Sequence, residues 1–195
     1  MLVNLLGAAG AAWFARASLQ YYLQTHRLIG GAFFVEQAWF AGAFLLRRPP
    51  RAVGQRLSDW LLAAGGTFGG LLFRPTGAHP RWGVDAGLLL QVVGLALALL
   101  ALASLGRSFG FVAADRGLAT RGPYAVVRHP LYAAYVLIQG GYLLQTVSVR
   151  NAVVLVLATS CNMGRIVAEE RVLAGSSGYE DYRRRVRWRM LPGIW

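Results

Sequence analysis

The chain has 195 residues, enough for one domain, and 56% of them belong to the set AVILMFWYC even with 24 glycines left out. Soluble chains reach about 45–50% only when glycine is counted, which excludes water as the solvent for most of this one. The formal charge of +12 comes from 20 basic residues, all arginine, against 8 acidic ones. These arginines sit in short connections and in the tail, so the balance points to membrane topology and anionic lipid headgroups, with no nucleic acid as partner. A single cysteine, Cys161, excludes an intrachain disulfide and a cysteine metal cluster. No metal-ligand spacing surrounds His26, His79 or His129.

In chain order, the first apolar stretch runs from about Leu2 to Leu23 and is interrupted by Arg16. The second, Leu28 to Leu46, carries Glu36 and Gln37 near its middle and ends on the basic break RRPPRAVGQR. The third, Leu57 to Phe73, holds overlapping GxxxG patterns at Gly65–Gly69 and Gly66–Gly70, which let helix backbones approach closely. After the turn-rich RPTGAHPRWG comes the longest and most uniformly apolar stretch, Val84 to Leu105, and then one long polar connection, Gly106 to Pro130. Two further stretches, Leu131 to Val149 and Asn151 to about Val167, are separated by so short a hinge that they form a helical hairpin.

The expected fold is therefore all-α, a multi-pass transmembrane bundle of about six spans, or five if the Arg16 stretch does not cross. It forms one integral membrane domain over 1–195, with membrane helices in 1–105 and a core in 106–195. With the tail on the cytoplasmic side, that side collects Arg47, Arg48, Arg51, Arg56, Arg107, Arg116, Arg121, Arg128, Arg171 and the tail cluster. The opposite side holds only Arg16, Arg27, Arg74, Arg81 and Arg150.

The stretch GPYAVVRHPLYAAY, Gly122 to Tyr135, is the most informative. Pro130 suits the first turn of a helix and makes His129 its N-cap, with free N–H groups beside it that suit a ligand carboxylate. Tyr132, Tyr135, Gln139 and Tyr142 recur at spacings of three and four and share one face. That face serves a polar site or an interfacial tyrosine belt equally well. In NMGRIVAEERVL, Asn162, Arg165 and Glu169 share one helical face, while Glu170 points about 100° away. Ionisable residues at this depth are costly and turn toward a polar cavity, or else pair at the membrane edge. In the tail, Tyr179, Tyr182 and Val186 lie on one face with arginines opposite, as in a segment lying on the interface.

The runs LGRSFGFVAADRGLATRGPYAVVRHPLY and AEERVLAGSSGYEDYRRRVRWRMLP resemble the C-terminal core of the isoprenylcysteine carboxyl methyltransferase and phospholipid methyltransferase superfamily, over Leu105 to Pro192. The resemblance implies an S-adenosylmethionine donor enclosed between the RHP segment, the last membrane helix and the tail. It assigns Arg128, His129 and Tyr132, from the RHPxY motif, and Glu169 and Glu170, from the glutamate pair, to that cofactor pocket. It also implies that Tyr124 lines the pocket and Tyr182 covers it, and the helical-face argument adds Arg165. Ala133 and Ala134 stand where many relatives have a glycine shortly after the tyrosine. The acceptor implied is a lipophilic small molecule or lipid bearing a carboxylate, thiol or amine. The alternatives are a membrane reductase using NADPH, whose relatives carry HPNY where this chain has HPLY, and a non-catalytic membrane scaffold. Nothing in the sequence identifies the acceptor or sets an oligomeric state.

Overall fold

The computed structural model describes residues 2–26, 28–74 and 81–195. Met1, Arg27 and residues 75–80, with His79, lie outside them. Seven α-helices are present among the described residues: α1 Leu2–Thr25, α2 Leu28–Leu46, α3 Leu57–Phe68, α4 Arg81–Leu105, α5 Pro130–Gln145, α6 Val149–Leu173 and α7 Tyr179–Arg185. Two segments, Trp82–Ser108 and Val149–Leu173, are long and apolar enough to cross a membrane. At 25 residues each, α4 and α6 are about 38 Å long against a hydrocarbon core of about 30 Å.

The bundle is apolar on its outer faces as well as inside. Its interior is rich in small residues, among them Ala8, Ala63, Ala98, Ala101, Ala134 and Ala158. Its outer faces carry large apolar side chains such as Trp13, 70% exposed, Leu89, 64%, and Val156, 63%. Lipid offers no hydrophobic drive between helices, so close contact through small residues has to hold them together. At Gly141, where α5 meets α4, an added Cβ would lie 2.5 Å from the Gly87 carbonyl oxygen. The GxxxG face of α3 meets α6 as the spacing suggests, and a Cβ at Gly69 would come within 3.1 Å of Ala158 Cβ.

Three pairings organise the bundle: α1 with α2, α3 with α6, and α4 with α5 at the centre. Phe109, just past α4, packs at a tilt on Phe40 and edge to face on Phe44 of α2, with ring centroids 5.1 Å apart in both cases, and so locks the first pair onto the central one. At the far end from the tail, Asn151 is fully buried. Its amide donates to the carbonyls of Arg74 and Thr146, at 2.9 and 2.8 Å, and its Oδ1 accepts from the Arg74 N–H.

Element boundaries differ from the apolar stretches where polar caps intervene. Helix α3 stops at Phe68 and continues as a 3-10 turn through Leu72. The hairpin hinge falls at 146–148, because the Ser148 hydroxyl caps α6 by accepting from the Asn151 N–H at 3.1 Å. Helix α6 runs on to Leu173, since all of AEERVL but Val172 are strong helix formers. The all-α expectation also needs one correction. A two-residue antiparallel ribbon, β1 Ala52–Val53 with β2 Ala114–Asp115, ties the connection after α2 to the one after α4. It is extended by Arg51 N–H to Asp115 O at 2.7 Å and Gly54 N–H to Ala113 O at 2.8 Å. The 106–130 connection is thus folded into the bundle, with Val112, Ala113, Asp115 and Arg116 all buried.

Candidate functional site

The start of α5, the end of α6, the 106–130 connection and the tail converge at one end of the bundle. Pro130 supplies the first turn of α5 and His129 is its N-cap residue. Of the first-turn N–H groups, those of Tyr132 and Ala133 turn back to the His129 carbonyl at 3.2 and 3.4 Å, while the two residues before the helix bond the tail: Arg128 N–H donates to Trp188 O at 2.9 Å and His129 N–H to Arg189 O at 2.7 Å. The tail thus folds back along the RHP segment.

Glu170 fastens this arrangement. Arg128 donates Nε to Glu170 Oε1 at 2.9 Å and places Nη2 2.8 Å from the same oxygen, while its Nη1 donates to the carbonyls of Val186 and Arg187. From the tail, Arg189 donates Nε and Nη2 to Glu170 Oε2 at 3.0 and 2.9 Å, and its guanidinium stacks on the Trp195 ring at 4.9 Å. One buried carboxylate thus bridges a helix-start arginine and a tail arginine, with both of its oxygens in use.

Glu169 belongs to a different cluster. It accepts a hydrogen bond from the Tyr132 hydroxyl, and its other oxygen lies 3.7 Å from His129 Nδ1. His129 Nε2 lies 3.3 Å from Glu170 Oε1, so the imidazole sits between the two glutamates. Arg165, one turn before Glu169, places its guanidinium 5.3 Å over the Tyr132 ring and donates to Phe111 O at 2.7 Å and Thr67 Oγ1 at 3.1 Å. Its Nε is buried without a hydrogen-bond partner, 4.0 Å from Glu169 Oε1.

A second cation reaches the same region from the connection. Arg116 is 7% exposed, and its Nε is likewise buried and unpaired. Burial draws its pKa down to about 10; nearby Arg47 adds to the fall and Glu169 opposes it. Asn162, on the Arg165 face, keeps an unpaired Oδ1. Buried polar atoms are ordinarily satisfied, so the two guanidinium donors, Arg116 Nε and Arg165 Nε, and the Asn162 Oδ1 acceptor leave hydrogen-bonding capacity unused.

The tyrosines predicted to surround this region divide. Tyr182, in α7, donates its hydroxyl to Tyr124 O at 2.8 Å, and burial pushes both phenols above their ordinary range. With Tyr179 and Val186, Tyr182 packs on Leu118 and Leu173, so α7 closes over the connection. Tyr132 and Tyr135 meet edge to face at 6.2 Å, whereas Tyr142 packs on Phe73 at 5.3 Å, farther along α5 toward its C-terminal end. The single tyrosine face read from spacing is therefore split between site and far end.

All eight residues singled out from sequence lie in this region, sorted into a clamp (Arg128, Glu170), a polar cluster (Tyr132, Arg165, Glu169, with His129 shared) and a cover (Tyr124, Tyr182). Sequence reasoning missed Arg189, one arginine among several in the tail, and Arg116, which reads as a loop charge. Thr67 and the Phe111 carbonyl carry no local signal.

Residues 82–178 match the family described as phospholipid methyltransferase. The match takes in α4, which the motif-based resemblance left out, and stops before α7. No curated protein matches the chain.

Proposed function

The chain belongs to the phospholipid methyltransferase family of integral membrane methyltransferases, and from that premise we propose that it transfers a methyl group from S-adenosylmethionine to a lipophilic acceptor. The observation that carries this reading is the polar cluster around Glu169, set in an otherwise apolar bundle with two buried guanidinium Nε–H groups left unpaired.

The donor's functional groups fit these residues. Its carboxylate suits the unpaired N–H groups of Arg116 and Arg165, its ammonium or ribose hydroxyls suit Glu169 and His129, and the faces of Tyr132 and Phe111 suit its adenine. When bound, the donor supplies an electrophilic methyl group on a sulfonium. The protein's task is then positioning and exclusion of water, and no side-chain nucleophile is required. Tyr182 and Tyr124 cover the pocket, and the Arg128–Glu170–Arg189 clamp holds the tail that bears the cover. S-adenosylhomocysteine is expected to stabilise the detergent-solubilised protein by about 2.7 kcal/mol at a hundredfold excess over Kd, with NADPH giving no shift. Thermal unfolding in the presence of each ligand makes the comparison. Stabilisation by NADPH alone would replace this reading with a reductase.

We place α1 to α6 as six spans with both termini cytoplasmic. The arginine asymmetry and the large apolar side chains on the outer helix faces support this arrangement. Accessibility tags at the C-terminus and in the 106–130 connection should both report the cytoplasm, and one beside Arg150 the opposite side. Labelling of the tail from outside intact cells contradicts the assignment. The donor then enters from the cytoplasm, while an acceptor dissolved in the bilayer arrives sideways between helices.

A further inference from the structure

At the ends of α2 and α4 lies a cavity of about 260 Å³ whose walls are mostly polar, with Arg48, Ser104, Arg107 and Ser108 among the residues that form them. It is smaller than the roughly 300–1,000 Å³ pockets that enclose a whole drug-sized ligand, and so suits a headgroup. None of its lining residues belongs to the Glu169 cluster, the clamp or the cover. Two cations are fixed here without a counter-charge. Arg48 N–H donates to Arg107 O at 2.8 Å, and Arg107 Nε donates to Leu46 O at 2.8 Å, so the end of α2 and the turn after α4 hold one another. The Arg107 Nη groups and the whole Arg48 guanidinium make no hydrogen bond or ion pair among the described residues. No carboxylate lines the cavity. Asp115, two residues before Gly117, has both oxygens in use elsewhere, on the Gly117 N–H at 2.9 Å and the Ser176 hydroxyl at 2.8 Å.

Gly117 shows how these groups converge. Its φ of 98° is one that glycine adopts freely, and a Cβ there would lie 3.6 Å from Arg48 Nη1 and 3.8 Å from Ser108 Oγ, so guanidinium and hydroxyl face one point. The two serines offer the opposite polarity. Ser104 donates to Leu100 O at 2.8 Å and Ser108 to Arg116 O at 3.1 Å, so each has only its oxygen left, as an acceptor. Positive charge beside hydroxyl acceptors matches an anionic group that itself carries hydroxyls. The setting is the bilayer surface: the cavity lies at the Ser108 end of the Trp82–Ser108 segment, which is long and apolar enough to cross a membrane. Leu46 and Leu100, whose carbonyls anchor Arg107 and Ser104, are 66% and 60% exposed and give acyl chains an apolar surface next to the charged one.

We propose that this cavity binds an anionic membrane phospholipid with a polyol headgroup, its phosphodiester between Arg48 and Arg107 and its headgroup hydroxyls donating to Ser104 and Ser108. Such a lipid is an accessory ligand and not the methyl acceptor, so the site stands whether or not the methyltransferase reading does. Leu118, a wall of the cavity, also packs on Tyr179, Tyr182 and Val186. A bound lipid therefore braces the 106–130 connection beneath the cover and stabilises the fold by mass action.

The test uses the full chain in an uncharged detergent and follows thermal unfolding as lipid is titrated in. The probes are dioctanoyl phosphatidylglycerol, the phosphatidylmethanol and phosphatidylcholine with the same chains, and glycerophosphoglycerol, which is the headgroup without chains. Phosphatidylglycerol is expected to bind about fivefold more tightly than phosphatidylmethanol, which has its charge and lacks its hydroxyls. Phosphatidylcholine and glycerophosphoglycerol should give little shift. Arg48→Gln and Arg107→Gln should each weaken phosphatidylglycerol binding about tenfold, and Ser104→Ala combined with Ser108→Ala should remove the preference over phosphatidylmethanol. Arg184→Gln makes the same charge change at an exposed position of α7 and should leave binding as it is. Equal losses in Arg48→Gln and Arg184→Gln would reduce the effect to net charge and overturn the site, and so would phosphatidylcholine stabilising as strongly as phosphatidylglycerol. Glycerophosphoglycerol binding as tightly as the lipid would overturn a membrane lipid as the occupant.

Discussion

Glu170→Ala is expected to lose about 3–5 kcal/mol of stability, the usual cost of removing one partner from a buried ion pair and leaving the other charge uncompensated. Two guanidinium groups depend on this carboxylate, and the Arg128 side chain is 7% exposed. Arg128 would keep its bonds to the carbonyls of Val186 and Arg187, which are too weak to balance a full charge. The tail should then detach from the RHP segment, freeing the backbone of the stretch around the already exposed Arg183, Arg184, Arg185 and Arg187 to enter a protease site. Trypsin digestion reads this directly: cleavage in that stretch should become fast in the variant and remain slow in the wild type, alongside a lower melting temperature. Arg189→Ala should show the same pattern at about 1–2 kcal/mol, since its side chain is about one-third exposed and its charge is partly served by water. Tail cleavage as slow in Glu170→Ala as in the wild type would show that backbone pairing alone holds the clamp.

This clamp marks the limit of what the sequence made legible. The 3.6-residue period put Asn162, Arg165 and Glu169 on one face and Glu170 on another, and the structure gives the two glutamates different partners accordingly. The period says nothing about what lies opposite Glu170. That depends on the tail returning some sixty residues later to pair its backbone with Arg128 and His129, a non-local event with no local signal. Arg116 shows the same limit in a loop. Its neighbours Arg107, Asp115 and Arg121 made the 106–130 connection look solvated, yet Val112 and Ala113 pull it into the bundle and the ribbon with Ala52 and Val53 pins it there. The start of α5 was legible from Pro130, whereas the start of α6, capped by Ser148, and the ends at Phe68 and Leu173 lie a few residues from the boundaries that hydropathy set.

Glu169→Gln is expected to weaken S-adenosylhomocysteine binding about a hundredfold, or about 2.7 kcal/mol, the scale of a hydrogen bond to a charged group lost from a desolvated site. The amide can still accept from the Tyr132 hydroxyl, so the local geometry should survive. What disappears is the negative charge that Arg165, Arg116 and His129 surround. Glu169 is about one-fifth exposed and does not hold the tail, so the ligand-free protein should melt much closer to the wild type than Glu170→Ala does. His129→Ala should cost about tenfold in affinity, because it removes one partner and leaves the charge in place. The two losses should not add: both residues address the same ligand and lie 3.7 Å apart, so the double variant should bind less weakly than the sum of the singles predicts. Isothermal titration of S-adenosylhomocysteine into the four proteins measures the cycle. Full additivity would mean that His129 and Glu169 act on separate parts of the ligand. Unchanged affinity in both single variants would remove this cluster as the donor site while leaving the Arg128–Glu170–Arg189 clamp as a feature of the fold.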